Sequence, residues 1–229
     1  MSKTLAMLHT SHVLIPTFSE LCERNLPKIS TFHMVDESLI KNTIAAGKLT
    51  KATIRRMATL VASAREGGAD AVMVTCSSIG PGVSVLRGLF DFPILRIDEA
   101  MAEEAVRRGA RIGVLATLKT TLEPTVDLLR ETAATQSRDV TVIPCLCEGA
   151  FDAILSGDDQ THHEIVTENL KDLMQRADVV VLAQASMAGV IQKLPSALRK
   201  VPVLSSPELA VKRVEKVFMS MKQRSNSRH

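Results

Sequence analysis

Apolar residues along this chain fall into two rhythms. Short runs such as "TLAMLHT" (4–10), "DAVMVTC" (70–76), "RIGVLAT" (111–117) and "DVVVLAQ" (178–184) are apolar at almost every position. Lack of alternation predicts strands buried on both faces, as in a parallel sheet. Between them lie segments with apolar residues every three or four positions, which predict amphipathic helices. "PTFSELCERNLP", "TKATIRRMATLVASAREGG" (50–68), "DEAMAEEAVRRG", "TTLEPTVDLLRETAATQ", "HEIVTENLKDLMQRA" and "PELAVKRVEKVFMSM" belong to this class. The 50–68 segment ends in two glycines, a helix stop, and "DEAMAEEAVRRG" carries acids first and bases last, matching a helix dipole. "STFHMVDES", "FPILRI", "DVTVIPCL" and "VPVLSS" complete the strands. Strands alternating with helices at this spacing build parallel sheets from βαβ units, so the fold class is α/β.

The pattern restarts midway. "LAMLHTS" aligns with "IGVLATL", pairing Thr10 with Thr117. "GADAVMVTCSSI" aligns with "RADVVVLAQASM", pairing Asp70 with Asp178 and Cys76 with Gln184. "FPILRIDEA" aligns with "VPVLSSPEL", pairing Pro93 with Pro202 and Glu99 with Glu208. Three matched blocks in the same order predict two similar parallel-sheet lobes, 1–105 and 106–229, with a C-terminal helix free to cross over. Such halves are expected to be related by a pseudo-twofold axis. Ligands of open α/β sheets sit beyond the carboxyl ends of the strands. Thr10, Cys76, Thr117 and Gln184 all follow strand ends and are expected to line a shared cleft.

Composition narrows the function. The net charge is +3 over 229 residues and there is no Trp or Tyr, so neither a basic footprint nor a stacking platform for nucleic acid is present. No apolar run approaches the roughly 20 residues of a membrane span, and the first residues lack the pattern of a secretion signal. The expectation is a cytosolic protein whose four cysteines are thiols.

The chemistry concentrates in "VTCSSIG". A thiol at a strand end, wrapped in Thr75, Ser77 and Ser78, lies where a turn or helix begins. Backbone N–H groups at such a start bind anions and depress a thiol's pKa. Ser77 and Ser78 can donate to a carboxylate. Cys22 sits among apolar helix neighbours and fits an inert buried thiol. Cys145 and Cys147 alternate in "IPCLCEG", with one of them expected inward, and no further ligands accompany them, so no metal site is expected. Gln184 can hydrogen-bond but cannot remove a proton at neutral pH.

These blocks, together with "RIGVLATLKTTLEPT" and "HMVDESL", make the sequence similar to the aspartate/glutamate/hydantoin racemase superfamily over nearly its whole length. The resemblance implies a cofactor-independent isomerase or racemase of a small carboxylate compound, an amino acid, hydantoin or dicarboxylate. It implies a site between two lobes with a cysteine from each half, one removing the proton α to the carboxylate and the other returning one. Cys76 matches the first cysteine and Gln184 stands where the second is expected. That departure points to one-cysteine chemistry: related maleate isomerases use the first-half cysteine as a nucleophile, although they usually retain a second-half cysteine, and arylmalonate decarboxylases protonate an enediolate from a single cysteine of the second half. A decarboxylase or lyase working through an enediolate, and an inactive carboxylate-binding protein, are the alternative readings.

The expected carboxylate cradle comprises Thr10, Ser11, Thr75, Ser77, Ser78, Thr117, Thr120, Thr121 and Ser186, with Cys76 and Gln184 as the acting pair. His9, His12 and His33 are candidates for a substitute second base. His162 and His163 are expected in a solvated loop, as is Lys119. The expected partner is a small carboxylate. The long helix at 50–68 offers a surface for a homo-oligomer.

Overall fold

A computed structural model describes residues 3–187, 189 and 200–226. Its first sheet is built from β1 (Lys3–His9), β2 (Ile29–Val35), β3 (Ala71–Val74) and β4 (Ile94–Arg96). All pairs are parallel and the order is β2-β1-β3-β4. Between the strands run α1 (Ile15–Asn25), α2 (Glu37–Ala46), α3 (Lys51–Glu66) and the one-and-a-half-turn α4 (Gly82–Arg87). The core under this sheet gathers Ala6, Leu8, Leu39, Met57, Val61, Val72, Val74, Ile79 and Leu86.

The second sheet has the same plan. After α5 (Glu99–Arg108) come β5 (Arg111–Ala116), α6 (Lys119–Thr135), β6 (Thr141–Leu146), α7 (Ala150–Leu155), α8 (Asp159–Arg176), β7 (Val179–Leu182) and β8 (Val203–Ser205). Its parallel order is β6-β5-β7-β8. Pro144 sits on the edge strand β6, where a missing donor does least harm. The last helix, α9 (Ser206–Asn226), buries Ala210, Val211, Val214 and Phe218 along one face.

The chain divides into two compact units, 98–206 and 1–97 with 207–229. Against the boundary expected at 105, α5 lies with the second unit because it packs on α6, β7 and β8. The final residues group with the first.

Both sheets are pinned alike at their amino ends. Asp70 accepts from the Thr4 N–H at 2.9 Å and from Lys3 Nζ at 2.8 Å, and its own N–H donates to the Thr4 carbonyl at 2.8 Å. Asp178 accepts from the Arg111 N–H at 2.8 Å and from its guanidinium at 2.7 Å, and its N–H donates to the Arg111 carbonyl at 2.8 Å. Each carboxylate staples the start of a unit's third strand to the start of its first. Hydrogen bonding to these cationic partners holds both carboxyls below the usual carboxylate range, against the opposing pull of burial.

Three sequence expectations change in detail. "STFHMVDES" overruns: β2 stops at Val35, and Asp36 turns the chain by capping α2, accepting from the Ser38 N–H at 3.0 Å. Helices α2 and α7 lie in stretches where no helix was expected, whereas α4 begins just after the Cys76 segment, where a turn or helix was expected. The segment holding His162 and His163 is the first turn of α8, not a loop. Asp158 caps it through the Thr161 N–H at 2.9 Å, and the Ala150 carbonyl lies 2.8 Å from His162 Nδ1.

Candidate active site

In the first unit the carboxyl ends of β1 and β3 carry the polar cluster. The two strands remain zipped just past their ends, where the Thr75 N–H donates to the Leu8 carbonyl at 3.0 Å. The chain then leaves the sheet. Cys76 keeps an extended conformation at φ −128°, and Ser77–Ile79 turn tightly into Gly80. Thr10, Ser77 and Ser78 are buried beside it, and Cys76 is half-buried.

The turn aims donors at one sulfur. The Thr10 hydroxyl, the N–H groups of Ser78 and Ile79 and the Ser78 hydroxyl all hydrogen-bond Cys76. Each favours the thiolate. Burial nevertheless outweighs them and pushes the thiol's pKa up. This corrects the expectation of a depressed value: the strand-end donors are present, but sequence gives no measure of the desolvation opposing them. Ser11 begins the next turn with no side-chain cap and is half-buried.

Thr75 does different work. It is buried, and its Oγ1 lies 3.1 Å from the Leu8 carbonyl and 2.8 Å from His9 Nδ1. A carbonyl only accepts, so the hydroxyl donates to Leu8 and accepts from the His9 Nδ1–H. His9 Nε2 then accepts from the His33 Nδ1–H at 2.8 Å, and His33 Nε2 accepts from the Ser19 hydroxyl at 3.1 Å. This polarity satisfies every partner with both histidines neutral. Burial, with the neighbouring His33, lowers His9 to about 4, and burial also lowers His33. His9 has both ring nitrogens engaged within the protein, and Thr75 holds His9. Exposed His12 faces Glu37 Oε1 at 3.3 Å. All three candidates for a second base thus have side-chain partners within the fold.

In the second unit, Thr117 follows β5 and Gln184 follows β7. Gln184 Oε1 accepts from the Thr117 N–H at 2.7 Å and faces its Oγ1 at 3.1 Å, while Nε2 donates to that Oγ1 at 2.8 Å. Thr117 therefore grips Gln184 as Thr10 grips Cys76. Thr120 and Thr121 lie in the first turn of α6. Thr121 is buried, and Thr120 Oγ1 is buried with no hydrogen-bond partner among the described residues. Lys119 begins this helix, 3.5 Å from Glu123. Ser186 lies on the short turn Ala185–Met187, and its side chain is outside the described residues.

Sequence reasoning missed the hydrogen-bonded pair formed by buried His9 and half-buried His33. Of Cys145 and Cys147, expected with one inward, Cys147, just past the end of β6, is the inward one. Cys147 is fully buried in the second core and Cys145 packs against that core. Cys22 is buried as expected, and burial raises its pKa to about 11. Among the described residues, no cluster of three or more His, Cys, Asp or Glu is placed to hold a metal, and no helix is long and apolar enough to cross a membrane.

Residues 8–214 match the family described as Asp/Glu/Hydantoin racemase. A comparison with curated proteins found no match. Among solved structures, the fold is similar to glutamate racemase from Francisella tularensis in complex with D-glutamate. That match has a TM-score of 0.76 at 14% identity, over 96% of this chain and 82% of that one. It is also similar to allantoin racemase from Klebsiella pneumoniae (TM-score 0.67, 20% identity, 95% and 88% covered). Aspartate racemase from Picrophilus torridus gives 0.67 at 13% identity, with 94% of each chain covered.

Proposed function

The chain belongs to the Asp/Glu/hydantoin racemase family, and from that premise we propose that it is a cofactor-independent isomerase of a small carboxylate compound, with Cys76 as its one acting thiol. The observation that carries this reading is the ring of donors around the Cys76 sulfur. Two hydroxyls and two N–H groups directed at one sulfur favour its charged, reactive form.

The chemistry needs the thiolate and a place for negative charge. Acting as a base, the sulfur takes the proton from the carbon next to the carboxylate, leaving an enediolate. The same thiol, or water on the opposite face, returns a proton. Acting as a nucleophile, it bonds to one carbon of an activated double bond and the electron pair moves onto the conjugated carboxylate. Rotation about the resulting single bond, then expulsion of the thiolate, gives the other geometric isomer. Both routes load charge onto carboxylate oxygens, which preorganised donors stabilise. Ser77 and Ser78 follow the thiol directly in its turn and can supply them.

Two observations favour single-thiol chemistry. Gln184 stands where a second cysteine would be and is held by Thr117, so we assign it a hydrogen-bonding role. His9 cannot replace the missing base while both its nitrogens are engaged. The modest charge and the absence of aromatic platforms support a small-molecule substrate, and we place the protein in the cytosol as a homo-oligomer.

The test is proton exchange. The protein is incubated in D2O with amino acids of both configurations, hydantoins and cis-enedioates. NMR follows loss of the α-proton signal and cis–trans conversion. Exchange or isomerisation by the wild type, abolished in Cys76→Ser, supports the reading. Release of carbon dioxide from a malonate-type acid would replace it with a decarboxylase. Saturable carboxylate binding with no turnover would replace it with a binding protein.

A further inference from the structure

We propose that Ser19, His33, His9 and Thr75 form a positioning chain for the Cys76 thiol: it fixes the residues just before Thr10 and Cys76 and so sets the hydrogen bond between them. The inference rests on the reading of Cys76 as the acting thiol and deepens it by naming the residues that hold that thiol ready.

The chain crosses the first unit from α1 through β2 and β1 to the end of β3. Its links span 3.1 Å from Ser19 Oγ to His33 Nε2, 2.8 Å from His33 Nδ1 to His9 Nε2 and 2.8 Å from His9 Nδ1 to Thr75 Oγ1. The Thr75 hydroxyl ends it on the Leu8 carbonyl at 3.1 Å. The His9 ring is fully buried, stacked on His33 with centroids 5.1 Å apart and tilted against Phe18 at 5.6 Å. The chain reaches the sulfur through its neighbours. His9 precedes Thr10, Thr75 precedes Cys76, and the Thr10 hydroxyl hydrogen-bonds the Cys76 sulfur. One side-chain link thus sits directly behind the other where β1 and β3 end.

The second unit supplies the comparison. The rung from the Thr75 N–H to the Leu8 carbonyl, 3.0 Å, recurs there from the Ala183 N–H to the Leu115 carbonyl, 2.9 Å. Past it, the Thr117–Gln184 link takes the place of Thr10–Cys76. Behind that link, however, Ala116 stands for His9 and Ala183 for Thr75, both fully buried. In register, Val114 faces Pro144 where Met7 faces His33. Two alanines and a proline therefore complete the same sheet plan. Burying imidazoles and a hydroxyl is costly unless their polar atoms are paired, and the fold does not require them. What differs at the strand tips is thiol against amide, so the chain serves the thiol. Gln184 grips Thr117 by hydrogen bonds to both its N–H and its hydroxyl. Sulfur is a weak acceptor, so the Thr10–Cys76 link needs its geometry held from behind.

The test reads the thiol directly. The pH dependence of Cys76 alkylation by iodoacetamide, followed by peptide mass spectrometry, gives its pKa without a substrate. Thr75→Val keeps the shape and removes the hydroxyl. His33→Phe keeps a ring on the edge strand β2 and removes both nitrogens. Each should raise the Cys76 pKa by about one unit. His33→Asn keeps a donor at the δ position and should stay near the wild-type value. Thr10→Val combined with Thr75→Val should shift the pKa no further than Thr10→Val alone, because both changes act through one bond. Lower urea midpoints in Thr75→Val and His33→Phe with an unmoved thiol pKa would mean a purely structural chain and overturn the proposal. Additive shifts in the double variant overturn it as well. The readout is independent of turnover: full activity in Cys76→Ser would remove the acting-thiol reading, whatever the chain does to the thiol's pKa.

Discussion

The backbone N–H of Thr117 donates to Oε1 of Gln184 across 2.7 Å, and the Gln184 amide returns a hydrogen bond to the Thr117 hydroxyl at 2.8 Å. In the other unit the Thr10 hydroxyl makes the corresponding link to the Cys76 sulfur. One architectural link therefore holds a thiol in one unit and an amide in the other. Gln184→Ala should leave the Thr117 N–H without its acceptor. We expect a stability loss of about 1–3 kcal/mol, read from urea unfolding. Turnover should fall about tenfold, with pH dependence unchanged because no proton acceptor is lost. A shift in the pH profile would instead give Gln184, or the geometry it sets, a part in proton transfer.

Burial raises the Cys76 thiol, and Thr10 is one of the groups opposing that rise. Activity should therefore climb on a limb above the ordinary thiol value of about 8.5. Thr10→Val keeps the shape and removes a donor. Its limb should move to higher pH while the alkaline plateau changes less. Cys76→Ala should cost on the order of a thousandfold or more. Iodoacetamide alkylation as a function of pH gives the same pKa without a substrate, and a value below 8 would contradict the burial argument.

His9 is held neutral at about 4, whereas an unfolded histidine titrates near 6.5. Between those values the unfolded chain binds the additional proton. Stability is thus complete above pH 6.5 and falls as pH drops towards 4, by on the order of 3 kcal/mol. His33, also lowered, acts in the same direction. Urea midpoints measured from pH 7 to 4.5 should show the decline, and His9→Gln should flatten it. A midpoint independent of pH over this range would contradict the neutral pair.

Gly113 lies on β5 under Leu173 of α8, and a Cβ there would fall 2.6 Å from Leu173 Cγ. Gly113→Ala should destabilise by about 1–3 kcal/mol through overpacking. Combining it with Leu173→Ala should cost less than the sum of the two single changes, because the larger cavity accepts the added methyl. Additive costs would mean the helix moves away instead.

The parallel α/β plan was legible because buried strands such as "AVMV" and "VVVL" are apolar on both faces, and both are fully buried in the structure. The family was legible from "VTCSSIG" and the repeat. Helix α2 was missed because its start at Asp36 continues the polar end of a β-rich run, and capping by Asp36 emerges only when the strand stops. The His9–His33 pair was out of reach for a different reason. The residues are 24 positions apart and meet only through the β1–β2 register, which sets Met7 opposite His33 and His9 opposite Val35. Desolvation of Cys76 likewise depends on what packs over the turn, which no local spacing encodes.

The paired carboxylates Asp70 and Asp178 have a consequence for how this chain tolerates change. Each unit repeats the same clamp where its strands begin, and the two units part company where those strands finish, one in a thiol and the other in an amide. Shape is fastened at one rim of each sheet and reactivity is displayed at the other. Substitutions at the finishing rim can therefore exchange one chemistry for another without loosening the scaffold, so a single framework can be re-equipped one strand tip at a time.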